Sequence, residues 1–191
     1  RLRCAVSWLL RSVSMSRQIS CSTIISRQNA FLDVLTTGNA PSAVIEHVRK
    51  LVDTGDIGNA PREAVLGRLN ILISDGTSLG ETAFLIASIR EIPADERLIL
   101  IEDTLEFRSK HENAIGLIAA RSALGEAHVV ANDLVSASLL TRPDRIVLGE
   151  LRGPEAFAFL RAVNTGHPRP MATIRADSVD RVFEQLALLV P

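Results

Sequence analysis

Along this chain, unbroken apolar runs alternate with stretches whose apolar residues recur at helical spacing. Val44, Ile45, Val48, Leu51 and Val52 fall on one face of a helix over residues 43–52. The turn-rich "DTGDIGNAP" follows, and Asn59 is placed to cap a short helix that has Pro61 in its first turn and runs to Leu66. "LNILIS" (69–74) predicts a strand buried on both faces, because its apolar residues are continuous rather than alternating. A helix is predicted over 81–91, stopped by Pro93, and then a second buried strand in "RLILIED" (97–103). A helix over 132–140 ends at Pro143, "DRIVLGE" (144–150) is a third strand, and 154–163 is a helix with Gly166 placed to end it. "MATIRA" (171–176) is a fourth strand, and Ser178 caps a last helix with Val179, Val182, Phe183, Leu186 and Val190 on one face.

Strands alternating with helices predict a parallel sheet covered on both faces. Ligands bind such sheets beyond the carboxyl ends of the strands. Those ends carry residues 75–81, Glu102 with Asp103, Glu150 to Arg152, and Arg175 to Asp177, so four separate segments converge on one edge.

Composition narrows what that edge can serve. A chain of 191 residues with 47% hydrophobic and 23% charged residues can form one domain with a real core, with room for a short extra segment. A net charge of −1 gives no global field toward nucleic acid or acidic lipid. Aromatics at 4% with no Tyr argue against a stacking platform for single strands. Cys4 and Cys21 form no C-x-x-C pair, so no metal or redox signature is present. No apolar run approaches the roughly eighteen residues a membrane span needs. The stretch from Arg1 to Leu32 has no acidic residue and is rich in Arg and Ser, a composition shared with organelle transit peptides, but reads most simply as a lead-in or domain remnant.

The candidate chemistry lies at the strand ends. "NILISDGTSLGET" has the outline of a phosphate-binding loop, yet that motif reads G-x-x-x-x-G-K-[ST]. Asp75 stands at its first glycine and Glu81 at its lysine; Gly76 and Gly80 still permit a tight loop, and Thr82 falls where a Mg²⁺-binding hydroxyl belongs. On the motif alone, an ordinary strand–helix turn is the simpler reading. Glu102 and Asp103 end a strand expected to lie beside the phosphate-loop strand, where an acid can position water or a metal shell, or merely be solvated. Glu150 can polarise water or bind Mg²⁺ through water, and Arg152, two residues on, can meet phosphate; equally, the two can form an ion pair within the loop. Asp75, Glu81, Glu102 and Glu150 also invite a cation-site reading. His47, His111 and His128 have no partner at motif spacing, and His167 in "NTGHPRP" taken alone reads as a surface residue.

The segments "NILISDGTSLGET", "LILIEDTLEFR", "RPDRIVLGELRGPEAFAFLRAVNTGHP" and "MATIRADS", in that order and spacing, resemble the type II/type IV secretion ATPase family, in particular the conjugal-transfer ATPases. The resemblance is strong over 62–189 and faint over 24–61. It implies an α/β, RecA-like P-loop NTPase domain over 62–191, incomplete at its C-terminal end, behind an N-terminal remnant over 1–61 that is partly disordered. It also implies ATP and Mg²⁺ as cofactors and a hexameric ring, with like or related subunits, at the cytoplasmic face of the inner membrane. The ring would drive secretion or conjugal DNA transfer, with no direct sequence-specific nucleic-acid binding. Carried over by motif, Gly76, Thr77, Ser78, Gly80 and Thr82 form the phosphate loop. Glu102 and Asp103 belong to the Asp box, and Gly149 and Glu150 to the Walker B element. Glu150 is the catalytic acid and, with Thr82, holds Mg²⁺ through water; Arg152 meets phosphate, and His167 sits in the His box.

Four departures accompany the match. The family has Gly and Lys at the Asp75 and Glu81 positions, a small pair where Arg169 and Pro170 stand, and His where Arg175 stands. A lysine about 4 Å from a phosphate charge contributes roughly 4 kcal/mol at an effective dielectric near 20, and reversing its charge makes a penalty of similar order. The expectation is therefore an intact fold with impaired ATP binding and hydrolysis. The alternatives are a catalytically dead ring subunit or a decayed gene fragment.

Overall fold

The computed structural model describes residues 20–25, 31–36, 42–56, 58–75, 81–107, 109–121, 128–165 and 169–189. The chain opens with two strands, β1 (Ser20–Ile25) and β2 (Phe31–Thr36), followed by helices α1 (Ser42–Asp53) and α2 (Asn59–Leu66). Then come β3 (Asn70–Asp75), α3 (Glu81–Arg90), β4 (Leu98–Glu102) and β5 (Ala114–Ile118). The short strands β6 (Ala120–Arg121) and β7 (His128–Val129) pair with each other in a separate two-stranded sheet. The chain continues with α4 (Ala131–Leu139), β8 (Arg145–Leu148), α5 (Glu155–Thr165), β9 (Met171–Arg175) and α6 (Val179–Leu189).

Seven strands form one sheet in the order β1-β2-β3-β9-β8-β4-β5. The five from β3 to β5 are parallel, and β2 joins β3 antiparallel, with Leu32 opposite Ile73. The α/β expectation holds, and the four expected strands and their helices lie where the apolar pattern put them, with ends shifted by at most two residues; Asn59, expected to cap α2, is instead its first residue, and Gly58 takes the cap position. Continuous apolar runs make such strands because both faces are covered. Ile71, Ile73, Leu98, Leu100, Val147 and Met171 pack on one side with Val48 of α1, Ala64 and Val65 of α2, and Leu85 and Ile89 of α3. Leu72, Ile99, Ile101, Ile146, Leu148 and Ala172 pack on the other with Val135 of α4, Phe159 and Val163 of α5, and Val182 and Leu186 of α6. The alternation of consecutive strand residues between two cores is the two-residue period of a strand.

One expectation of sheet order is corrected. β4 does not lie beside β3; β9 and β8 stand between them. The chain leaves β3, passes through α3 and skips two places, which later strands fill, so sequence neighbours are not sheet neighbours. The structure also adds β1, β2, β5, β6 and β7 to the four expected strands. β5 forms the sheet's edge with Ile115 and Ile118 exposed, although its sequence, "AIGLI", is as continuously apolar as that of a buried strand.

Opposite the carboxyl edge, an ionic cluster closes the sheet. Arg145, at the start of β8, is fully buried and donates from Nε to Glu96 Oε2 at 2.5 Å and from Nη2 to the carbonyl of Val65 at 2.7 Å. Arg68 donates to Glu96 Oε1 at 3.1 Å. Arg68 has φ of +56° and ends α2 in a left-handed cap: its N–H bonds the carbonyl of Val65, and the N–H of Leu69 bonds that of Ala64.

Candidate functional site

At the carboxyl edge a cavity of about 190 Å³ opens. Its wall combines the start of α3 (Glu81, Thr82), the segment after β4 (Glu102, Asp103, Glu106) and the turn after β8 (Glu150, Arg152). Thr173 and Arg175 of β9 complete it. This is the edge at which parallel sheets bind ligands.

Each charged group is fixed by its neighbours. Glu102 is 6% exposed, and its Oε2 accepts the backbone N–H groups of Glu106 at 2.7 Å and Phe107 at 2.9 Å. That oxygen ties down the loop after β4. Gly149 donates its N–H to the carbonyl of Ile101 at 2.8 Å, and Thr173 Oγ1 donates to the carbonyl of Gly149 at 2.5 Å, so the end of β8 is stitched to both neighbouring strands. Glu155, the first residue of α5, accepts the N–H groups of Arg152 and Gly153 on Oε1, each at 2.6 Å. This is a first-turn acid closing the preceding turn.

Glu150 and Arg152 form the ion pair that was one of the two readings of their spacing. Arg152 Nη2 bonds Glu150 Oε2, Arg152 Nη1 lies 3.9 Å from Asp103 Oδ2, and Arg175 Nε lies 3.4 Å from Glu150 Oε1. The Arg152 guanidinium is pushed above its ordinary pKa, first by the hydrogen bond to Glu150, which outweighs the opposing effect of burial, and then by the charges of Glu150, Asp103 and Glu106.

Of the residues singled out in the sequence, the structure brings Thr82, Glu102, Glu150 and Arg152 to one cavity, together with Glu81 and Asp103. Gly76, Thr77, Ser78, Gly80 and His167 lie outside the described residues, and Asp75 is described only in its backbone, opposite Arg175 in the parallel ladder. Among the described residues, no three His, Cys, Asp or Glu side chains are grouped to hold a metal ion. Sequence reading missed the contact of Arg175 with Glu150, the closure of the turn by Glu155 and the bond from Thr173. For Glu155 a signal existed: Pro154 followed by Glu at a helix start marks a first-turn acid.

Comparison with known proteins decides the family. The family model described as "Type II/IV secretion system protein" matches residues 57–190. The chain belongs to this family. VirB11 of Agrobacterium fabrum is 40% identical over 145 residues, which cover 76% of this chain and 42% of that protein. The type IV secretion system protein VirB11 of Bartonella henselae is 42% identical over 128 residues, covering 67% of this chain and 36% of that one. A putative conjugal transfer protein of Mycobacterium tuberculosis is 37% identical over 128 residues, covering 66% of this chain and 36% of that protein. The chain thus spans about two fifths of the length of these secretion relatives. The crystal structure of the VirB11 ATPase of the Brucella suis type IV secretion system, in complex with sulphate, superposes with a TM-score of 0.70 at 25% identity. That match covers 88% of this chain and 61% of the Brucella chain. The chain is therefore a homologue of type IV secretion ATPases and conjugal transfer proteins, with their α/β fold. No helix among its described residues is long and apolar enough to cross a membrane.

Proposed function

We propose that the chain is the nucleotide-site domain of a type IV secretion or conjugal-transfer motor, one in which ATP binding and hydrolysis are impaired. The observation that carries this reading is Glu81. Its carboxylate is 4% exposed, opens α3 and lines the cavity with Glu102 and Glu150. The N-terminus of a helix attracts an anion, which is how a phosphate loop works. Here the anion belongs to the protein itself.

The donor set around the cavity agrees. Glu81, Glu102, Asp103, Glu106 and Glu150 are acidic, against the basic Arg152 and Arg175. A nucleoside triphosphate would add several negative charges to a wall already rich in them, so the residues present do not suit it. Thr82 and Glu150 offer Mg²⁺ oxygen ligands, but Glu150 is already engaged by two guanidiniums.

A second reading rests on a separate observation. The two cores and the strand ends are intact while the acidic substitutions fall at the phosphate edge. That combination supports a subunit that keeps its place in a mixed hexameric ring at the cytoplasmic face of the inner membrane without hydrolysing ATP. Co-purification with an intact homologue tests it.

The primary test compares ATP binding and turnover by the purified chain with those of an Asp75→Gly, Glu81→Lys variant. A charge effect of a few kcal/mol is several decades of affinity, so the variant is expected to bind ATP at least about a hundredfold more tightly. Ordinary ATPase rates from the unaltered chain would sink the reading.

A further inference from the structure

The carboxylate of Glu150 has a guanidinium at each oxygen. Arg152, from its own turn, bonds Oε2, and Arg175, from the end of β9, brings Nε to 3.4 Å from Oε1. Arg152 is further held by the carboxylate of Glu155 through its backbone and by Asp103 at its other terminal nitrogen. Arg175 is exposed. Its reach to Glu150 follows from strand order, because β9 lies directly beside β8 and Leu148 pairs with Ala172.

We infer that Arg175 is a second, independent block on hydrolysis: by holding its guanidinium beside Oε1 of Glu150 from the cavity wall, it competes for the oxygen with which this acid would orient an attacking water. The inference rests on Glu150 being the water-positioning acid of the proposed ATPase site. A general base acts only through an oxygen within hydrogen-bond reach of the water it activates. Oε2 is already bonded to Arg152, and Arg175 holds a second positive charge beside Oε1 on the same wall of the cavity, so each oxygen is a weaker base and a water must compete for it. Restoring the phosphate loop therefore brings back nucleotide binding without turnover. Turnover returns when the guanidinium at position 175 is removed as well.

Two measurements on the full chain test this. The first follows labelling of the Glu150 carboxyl by a water-soluble carbodiimide and an amine nucleophile, read by peptide mass spectrometry without nucleotide. Arg175→Gln is expected to raise labelling of Glu150 at least threefold relative to Glu184, an acid of α6 with no ion pair among the described residues; unchanged labelling overturns the clamp. The second compares Asp75→Gly, Glu81→Lys with the same variant carrying Arg175→Gln, reading binding of a fluorescent ATP analogue and phosphate release. Equal binding with at least tenfold faster release in the triple variant is the expected result. Equal release from the two overturns the inference. If neither variant binds nucleotide, the ATPase reading itself fails, and labelling alone then decides whether Arg175 clamps Glu150. Because Arg175 is exposed, its replacement leaves the core untouched.

Discussion

Glu102 holds Phe107 by its backbone: one carboxylate oxygen accepts the N–H of Phe107 at 2.9 Å and that of Glu106 at 2.7 Å. The residue that ends β4 therefore spends half of its hydrogen-bonding capacity on the loop that follows. Phe107 in turn is buried in the core between α3 and the sheet. Hydrogen bonds to a charged group contribute about 1.5–3 kcal/mol each, and two on one oxygen share that benefit. Glu102→Ala is expected to destabilise the chain by about 2 kcal/mol in urea unfolding. It should also raise hydrogen exchange at the amides of Glu106 and Phe107 while leaving that of Ile99 in β4 unchanged. Protected amides at both positions in the variant would show that the loop is held by packing alone.

Much of this was legible in the order of residues, and the rest was not for specific reasons. β3, β4, β8 and β9 announced themselves because strands buried on both faces need continuous apolar runs, as in "NILIS" and "LILIE". β5, "AIGLI", is as apolar as these; what the pattern does not give is its place at the sheet's edge, where Ile115 and Ile118 are exposed. The acids and arginines of the cavity could be placed at strand ends, since an end is a local property. Their partners could not. Arg175 meets Glu150 only because β9 enters the sheet beside β8, and strand order is not written in periodicity. Glu96 and Arg145 are 49 residues apart and belong to no motif; only the folded sheet makes them neighbours.

The pair at the amino edge yields a stability prediction. Arg145 and Glu96 are 0% and 3% exposed, and Arg145 also reaches the carbonyl of Val65 on α2. Breaking a buried pair by deleting one partner leaves an uncompensated charge, at a cost of about 3–5 kcal/mol. Glu96→Ala is expected to lose that much in urea unfolding, near the limit of what a domain of this size tolerates. Replacing both residues, Glu96→Met with Arg145→Leu, should recover most of it, because two apolar side chains leave no buried charge behind. A double variant no more stable than Glu96→Ala would mean that Arg145 acts mainly through Val65.

Gly67 is required by close approach rather than by its backbone angles. Its φ of −72° is open to any residue, but a Cβ there would come within 2.3 Å of Val44 Cγ1 and 2.9 Å of the carbonyl oxygen of Glu63. The second contact is with backbone and cannot be relieved by turning a side chain. Gly67→Ala is therefore expected to push α1 away from α2 and destabilise the chain by about 1–3 kcal/mol, the usual cost of overpacking. The companion change Val44→Ala removes the nearer clash, so the double variant should regain part of the loss; thermal unfolding of the three variants checks this. Additive losses would place the strain at Glu63 alone.

The turn that presents Arg152 depends on Glu155. Its Oε1 accepts two backbone N–H groups at 2.6 Å in part-buried bonds, and Glu155 is 6% exposed, so without it both donors lose their partner where water reaches only in part. An unsatisfied buried donor costs about 1–3 kcal/mol. Glu155→Ala is expected to lose about 2–4 kcal/mol in urea unfolding, and Glu155→Gln less, because its amide oxygen can still accept. The effect should separate from that of the ion pairs by its response to salt. Arg152 stays charged at every working pH, its guanidinium being pushed further up by Glu150, so its half-exposed bonds to Glu150 and Asp103 weaken as ionic strength rises. The contacts of Glu155 are short and part-buried, made by a carboxylate that is itself buried, and salt screens them less. The loss on Glu155→Ala should therefore be nearly the same in low and high salt, whereas the loss on Arg152→Ala should shrink. Equal salt dependence in the two variants would mean that Glu155 acts through the charge network rather than through the two amides.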